Sequence, residues 1–283
     1  MCGIAGVIAY EENLHDTERI CRRMQEAIAR RGPDQQGMLL TEHAALIHTR
    51  LSIIDPENGR QPMHRAWREE VYSIVYNGEL YNTPEIREQL ARAGCRLTTH
   101  SDTEAVLMAY AVFGEDCLAM FNGIFAFAVW EQHRQRLFLA RDRMGVKPLF
   151  YHLTPEKLIF GSELGCLLAH PDVPHEIGIE GVSQLLLFGP GRTPGCGVFR
   201  GTEELRAAEC ACYTQEAGLQ KRIYWQPEAR EHPDNFSQTA EHVRYLVTDA
   251  IRRQLVSDAP LGTFLSGGLD SSLISAVEEN FTP

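Results

Sequence analysis

Apolar positions along this chain fall into short buried runs, helical stripes and two-residue alternations. Residues 3–9 are almost uninterruptedly apolar, which predicts a short buried strand. Ile20, Met24, Ala27 and Ile28 recur on one helical face, predicting a helix over about 16–30 with Asp16 as its cap, broken by Gly32-Pro33. Residues 44–48 and 71–76 read as strands, the second alternating around Val71, Ser73 and Val75. Thr83 as N-cap and Pro84 in the first turn start a helix, with Ile86 and Leu90 on its apolar side and Gly94 as its stop. Ser101-x-x-Glu104 has capping-box spacing and opens a second helix that Gly114 closes. From Gly123 the period drops to two: Phe125, Phe127 and Val129 alternate with Ala126, Ala128 and Trp130. Strands at 137–140, 149–153 and 158–160 follow, with a turn at 143–148.

Strands, two helices and more strands predict an α+β layered arrangement rich in antiparallel sheet. Residues 180–187 read as helical. The stretch 189–235, rich in Gly, Pro and Glu, reads as a loop-rich connection with one or two strands. Val243, Leu246, Val247, Ala250, Ile251 and Leu255 share a face, so 237–256 is a helix. Residues 262–265 then read as a strand, followed by a Ser266-Gly267-Gly268 turn and a helix from Asp270. Strand, glycine turn and helix begin an α/β domain. The expected division is a first domain at 2–190, a linker at 191–235 and the start of a second domain at 236–283.

Composition narrows the partners. In 283 residues, 44% hydrophobic and 23% charged, the formal net charge is −11. An acidic chain repels phosphate backbones, so nucleic acid is not an expected partner. No apolar run approaches the roughly 18 residues that would suggest a membrane helix. The apolar start is not a signal peptide, because no Lys or Arg precedes it and Glu11 and Glu12 follow. The eight cysteines include no Cys-x-x-Cys pair, so no metal site is expected, and Cys210 and Cys212 are a weak signal. Free thiols predict a reducing, cytoplasmic setting. The glycosylation triplets at Asn235 and Asn280 are chance matches there.

The chemistry begins at Met1-Cys2-Gly3. Removal of Met1 would leave Cys2 with a free α-amine beside its thiol. The amine titrates near about 7.7–8.0 and the thiol near about 8.5, so the amine can take the thiol proton at neutral pH. One residue then supplies both nucleophile and base. MCGIAG is followed in order by RRGPD at 30–34, HTRLSIID at 48–55, QPM at 61–63, YNGELYN at 76–82, SDTE at 101–104, FNGIFAFAVW at 121–130 and ARDRMGVKPLFY at 140–151. This series resembles the class II glutamine amidotransferases, which are N-terminal-nucleophile hydrolases. Within them it is most similar to the glutamine-hydrolysing asparagine synthetases.

The resemblance implies a four-layer αββα fold and a glutamine site. Cys2 would be the nucleophile, with Asn77 and Gly78 as the donors for the tetrahedral oxyanion. Asn-Gly is also the composition of a hairpin turn, and both readings can hold together. Arg50 would hold the glutamine carboxylate, helped by the backbone of Leu51, Ser52, Ile53 and Ile54. Glu79 and Asp102 would hold the ammonium, with Ser101 rather than Asp102 capping the helix. Arg31 and Asp34 would order the loop over the site. His48 and His100 read as structural.

The motif at 265–272 resembles the pyrophosphate-binding loop of the ATP-pyrophosphatase fold. Ser266, Gly267, Gly268, Asp270 and Ser271 would meet the phosphates of ATP, with the backbone of Phe264 and Leu265 against adenine. The joint implication is glutamine-dependent amidation: ammonia released at Cys2 displaces AMP from aspartate activated on its β-carboxylate, with Mg²⁺ screening the triphosphate. Ammonia would need a shielded passage between the sites. Glutamine, aspartate and ATP are the implied ligands, and a homodimer is the assembly the resemblance allows. Only eleven residues follow Ser272, so this chain alone is expected to support the glutaminase half. Two alternatives share these residues: an amidotransferase acting on another carboxylate, and a non-catalytic glutamine-binding module. Amidotransferases acting on phosphoribosyl and sugar-phosphate substrates share the glutaminase class but lack the second motif.

Overall fold

The computed structural model describes residues 1–189, 191–279 and 281. The chain forms two compact units, Met1–Gln226 and Pro227–Pro283.

The first unit contains β1 (Gly3–Ala9), α1 (Glu18–Ala27), β2 (Gln35–Leu40), β3 (Ala44–Arg50), β4 (Met63–Trp67), β5 (Glu70–Leu80), α2 (Thr83–Arg92), α3 (Asp102–Phe113) and α4 (Cys117–Met120). It continues with β6 (Gly123–Glu131), β7 (Arg136–Arg141), β8 (Phe150–Leu153), β9 (Lys157–Gly161), α5 (Leu164–Leu168), α6 (Ile179–Phe188), β10 (Thr202–Glu204), β11 (Glu209–Thr214) and β12 (Gly218–Ile223). The strands form two six-stranded sheets, ordered β10-β8-β9-β1-β3-β2 and β12-β11-β7-β6-β5-β4.

Alternation along each strand builds the layers. Ile4 and Ile8 of β1 meet Val75, Ala126, Trp130 and Leu139 between the sheets. The intervening Ala5 and Val7 turn outward to Met24 of α1 and Leu167 of α5. On the far side, Ile74 and Tyr76 of β5 pack under Leu90 of α2 and Val106 of α3. The result is the expected α+β, αββα stack. Cys2 continues the inward parity of Ile4 and Ile8, and Asn77 that of Val75, so both reach the layer between the sheets.

The local stops follow the sequence. Gly94 and Gly114 lie past the ends of α2 and α3 at φ 81° and 63°, where a side chain would be strained. Other details differ. Asn13, not Asp16, supplies the first cap, accepting from the His15 amide ahead of a 3₁₀ turn, Leu14–Thr17. Thr83 makes no cap: its hydroxyl donates to the Leu80 carbonyl at 2.6 Å. Ser101 caps α3 through the Thr103 amide at 3.2 Å, but the capping box is not formed. Glu104 is drawn instead to Arg65 and to the amides of Thr98 and Thr99.

The expected linker is the largest difference. Within 191–235, β10 joins the edge of one sheet, while β11 extends the other and β12 closes its edge. Leu205, Ala211 and Tyr213 are buried between the sheets, so packing overrides the Gly- and Glu-rich composition. Cys210 and Cys212 are β11 positions two apart on the opposite face, and both are free thiols. The edge strands β2 and β4 also went unread, because their half-exposed residues give no continuous apolar run.

The second unit contains α7 (Phe236–Gln254) and α8 (Leu269–Glu278). Asn235 and Gln238 form a reciprocal capping box at the start of α7. The strand expected at 262–265 is not formed. No strand stands beside it among the described residues of this unit, and a lone strand leaves its backbone groups unpaired. Asn280 and Thr282 of the second glycosylation triplet lie outside the described residues. No helix among the described residues is long and apolar enough to cross a membrane.

Candidate active site

A pocket opens where β1, β3 and β5 end beside α3. Cys2, Arg50, Asn77, Glu79, Asp102 and Lys147 all line it. The first five come from distant parts of the chain.

Cys2 is held from two sides. Its sulfur accepts from the Leu51 amide at 3.4 Å and faces the Leu51 carbonyl at 3.6 Å. Arg31 donates to the Cys2 carbonyl at 2.8 Å and pairs with Glu163 at 2.8 Å, fixing the start of β1. Asp34 accepts from the Ser52 amide at 2.7 Å and so ties down the following loop. Burial pushes the Cys2 thiol up; the Leu51 amide, the amino terminus and Arg50 oppose it.

Arg50 is placed less simply than expected. Its two terminal nitrogens donate to Gln35 and to the carbonyls of Ile54, Asp55 and Pro56, at 2.8–3.0 Å. The guanidinium fork therefore shapes the loop, leaving Nε as its remaining donor. Gly59 permits this approach: a Cβ there would stand 2.2 Å from Arg50 Nη2. Among the described residues, the pocket-lining Ile53 and Ile54 donate their amides to no protein acceptor.

Asn77 and Gly78 are not a turn. They lie inside β5, opposite Ala126 and Phe125, because the strand runs for 11 residues to Leu80. Asn77 is 1% exposed, yet its Nδ2 has no hydrogen-bond partner among the described residues. A buried amide donor without an acceptor is costly, so its presence in a pocket points to a ligand oxygen. Gly78 is pressed against the next strand, since a Cβ would lie 2.5 Å from the Ile124 carbonyl.

Asp102 is buried at the start of α3 and accepts from the Tyr76 hydroxyl and the Leu80 amide, both at 3.1 Å. Burial outweighs these bonds and pushes its carboxyl up to about 6. A cationic ligand group would bring it back down. Glu79 lines the same wall. His48 is a brace, as expected: it is fully buried, hydrogen-bonded to the Tyr76 carbonyl at 3.1 Å, and desolvation takes it down to about 4.

Gln61, Tyr76, Thr103 and Lys147 complete the pocket. Gln61 accepts from the Tyr76 amide at 2.6 Å and donates to the Thr103 hydroxyl at 3.2 Å. One side chain thus braces β5 next to Asn77 and α3 next to Asp102. Lys147 enters from the turn after β7. Gln61 and Lys147 stand inside the runs QPM and ARDRMGVKPLFY, which was the available signal.

In the second unit, Gly267 has φ 83°, and Gly268 starts α8 without any side-chain cap. The Ser266 and Ser271 hydroxyls lie 3.0 Å apart, and Ser272 donates to the Gly268 carbonyl at 2.8 Å. The uncapped amides of a ten-residue helix suit an anion. Asp270 lies in its first turn. Phe264 and Leu265 are 97% and 66% exposed.

Known proteins resemble this chain along nearly its whole length. An asparagine synthase family matches residues 242–283. Asparagine synthetase [glutamine-hydrolyzing] 3 of Bacillus subtilis is 44% identical, over 98% of this chain and 45% of that protein. Asparagine synthetase [glutamine-hydrolyzing] 1 of the same organism is 33% identical, over 100% of this chain and 44% of its own length. The chain thus spans about half the length of the curated relatives it matches. The glutamine phosphoribosylpyrophosphate amidotransferase from B. subtilis, solved with ADP and GMP, shares the fold at a TM-score of 0.58 and 15% identity, covering 99% of this chain and 64% of that one. The glutamine amidotransferase domain family matches residues 1–225, and this chain belongs to that family.

Proposed function

We propose that this chain is the glutaminase portion of a glutamine-dependent asparagine synthetase, with the beginning of its ATP-binding domain. With Met1 removed, the Cys2 amine takes the thiol proton as sulfur attacks the side-chain carbonyl of glutamine. Asn77 Nδ2 and the Gly78 amide receive the oxyanion. Collapse breaks the C–N bond, and the amine returns its proton to the leaving ammonia. Water then hydrolyses the thioester to glutamate and restores the thiol.

The observation that carries this reading is the buried, unpartnered Asn77 Nδ2 in the pocket that Cys2 also lines. Asp102 and Glu79 meet the α-ammonium of glutamine. The carboxylate is held by Arg50 Nε and the Ile53 and Ile54 amides, with Leu51 and Ser52 shaping that loop. In the second unit, the match to the asparagine synthase family supports Ser266, Gly267, Gly268, Asp270 and Ser271 as phosphate contacts of ATP, with Phe264 and Leu265 beside adenine. Mg²⁺ would enter as the nucleotide's counter-ion. Aspartate, activated as β-aspartyl-AMP, is the acceptor proposed for the longer protein. Eight free cysteines support a cytoplasmic setting.

The test is intact-mass analysis after incubation with a glutamine analogue bearing an electrophilic carbon in place of the amide. A single adduct on Cys2, absent when Met1 is retained, is the expected result. A correctly processed Cys2 that stays unmodified, with no glutamate formed from glutamine, would overturn the glutaminase reading. Absence of aspartate-dependent pyrophosphate release from the longer protein would overturn the acceptor.

A further inference from the structure

Lys147 lines the same pocket as Cys2 and the amino terminus, yet only 5% of it is exposed. Its ammonium makes no ion pair or hydrogen bond among the described residues. Burying a cation that no acceptor contacts costs stability, and such groups gather where charge is used.

The turn that carries Lys147 is clamped. The Asp142 carboxylate accepts from the amides of Phe125, Met144, Val146 and Lys147 at 3.0–3.2 Å. Arg141 donates to the Lys147 carbonyl at 2.7 Å and to the Gly145 carbonyl at 2.7 Å. Gly145, at φ 65°, makes the bend. The clamp fixes the backbone from which Lys147 enters the pocket.

The charges around Cys2 come from every neighbouring element. Arg31 and Arg50 are the other cations, Glu79 and Asp102 the pocket-lining anions, and Asp142 an anion within the turn. Arg31 is tied to the Cys2 carbonyl and Glu163, and Arg50 to its loop. Lys147 differs from both in that no protein acceptor engages its charge.

Accepting Cys2 as the nucleophile, we propose that Lys147 is an electrostatic positioning residue for it: the unpaired ammonium keeps the Cys2 amine unprotonated and offsets negative charge on the sulfur as the thiol proton leaves. A cation disfavours a second positive charge and favours a negative one nearby. Consistent with this, in the unprocessed chain burial lowers the Met1 amine, one residue before Cys2, and Arg31 and Lys147 lower it further against the pull of Cys2. Burial likewise lowers Lys147, while Glu79 and Cys2 act to retain its charge.

The experiment compares the pH dependence of kcat/KM for glutamine, and of Cys2 alkylation by iodoacetamide, in the Met1-processed chain and in its K147M and K147R variants. Loss of the charge in K147M moves the acid limb of both profiles up by about one pH unit, a roughly tenfold loss of rate on that limb. KM on the alkaline plateau stays unchanged, and K147R keeps the original limb. K147Q serves if K147M does not fold. An unmoved acid limb in the neutral variants overturns the proposal. So does a change confined to KM at every pH, which would make Lys147 a glutamine ligand. A processed, unsubstituted chain that neither hydrolyses glutamine nor is alkylated overturns the glutaminase reading and this inference with it, whereas a normal parent with an unmoved K147M limb overturns this inference alone.

Discussion

The two compact units carry their candidate sites in opposite ways. In Met1–Gln226, residues far apart in sequence converge on one pocket, and most are buried: Arg50 is 4% exposed, Asn77 1% and Asp102 5%. In Pro227–Pro283, the motif is one continuous loop whose flanking Phe264 and Leu269 are 97% and 85% exposed. The first site is held by strands and helices that cannot move without disturbing three packed layers. The second is held by hydroxyl contacts between near neighbours, Ser266 with Ser271 and Ser272 with the Gly268 carbonyl. Burial is what makes a polar group costly to leave unpaired, so only the first site shows a ligand's place by what is missing there.

Substitutions can break or sharpen that comparison. The largest effect is expected at Cys2: Cys2→Ala, or retention of Met1, should lower glutamine hydrolysis by roughly 10⁴-fold or more in a coupled glutamate assay, since the nucleophile and its base act as one unit. Asn77→Ala should cost about 10²–10³-fold in kcat with little change in melting temperature, because its Nδ2 has no protein partner to lose. A large drop in stability there would mean that the amide is structural.

Asp102→Asn should lower kcat/KM for glutamine by about 10- to 100-fold, mainly through KM. The same carboxyl sets a pH dependence. Because burial raises it to about 6, it becomes protonated as pH falls through that value, and glutamine KM should rise there. In Asp102→Asn that rise should vanish. Gln61→Leu removes the acceptor of the buried Tyr76 amide, so it should destabilise the fold by about 1–3 kcal/mol in denaturant melts. The smallest effect is expected from Ser266→Ala in the second unit, which should leave glutamine hydrolysis within about twofold, as the loss of an exposed hydroxyl outside the pocket-lining residues does. A larger loss would show that the two sites are coupled, contrary to their separate construction.

Much of the first unit was legible because its signals are local. The alternation of Phe125, Phe127 and Val129, and the stops at Gly94 and Gly114, needed no tertiary knowledge. Of β10–β12 only one or two strands were expected, with no bounds, since their stability comes from Leu205, Ala211 and Tyr213 filling space between the two sheets. The capping box at Ser101 failed for a related reason. Glu104 has better partners in Arg65, Thr98 and Thr99: burial pushes its carboxyl up, but the donors converging on it outweigh burial and hold it down to about 2.

By itself, the sequence determined the covalent and periodic facts: a thiol beside a prospective α-amine at Cys2, the glycine turn at Gly267-Gly268, the strand parities, and the order of motifs that marked the family. The tertiary structure decided which groups lost water and which kept a partner. It engaged the Arg50 fork with its own loop, left Asn77 Nδ2 without an acceptor, raised Asp102 by burial and set Lys147 unpaired in the pocket. Those outcomes depend on residues dozens of positions apart coming within hydrogen-bond range. Desolvation is a property of that crowding, and no local pattern in the chain encodes it.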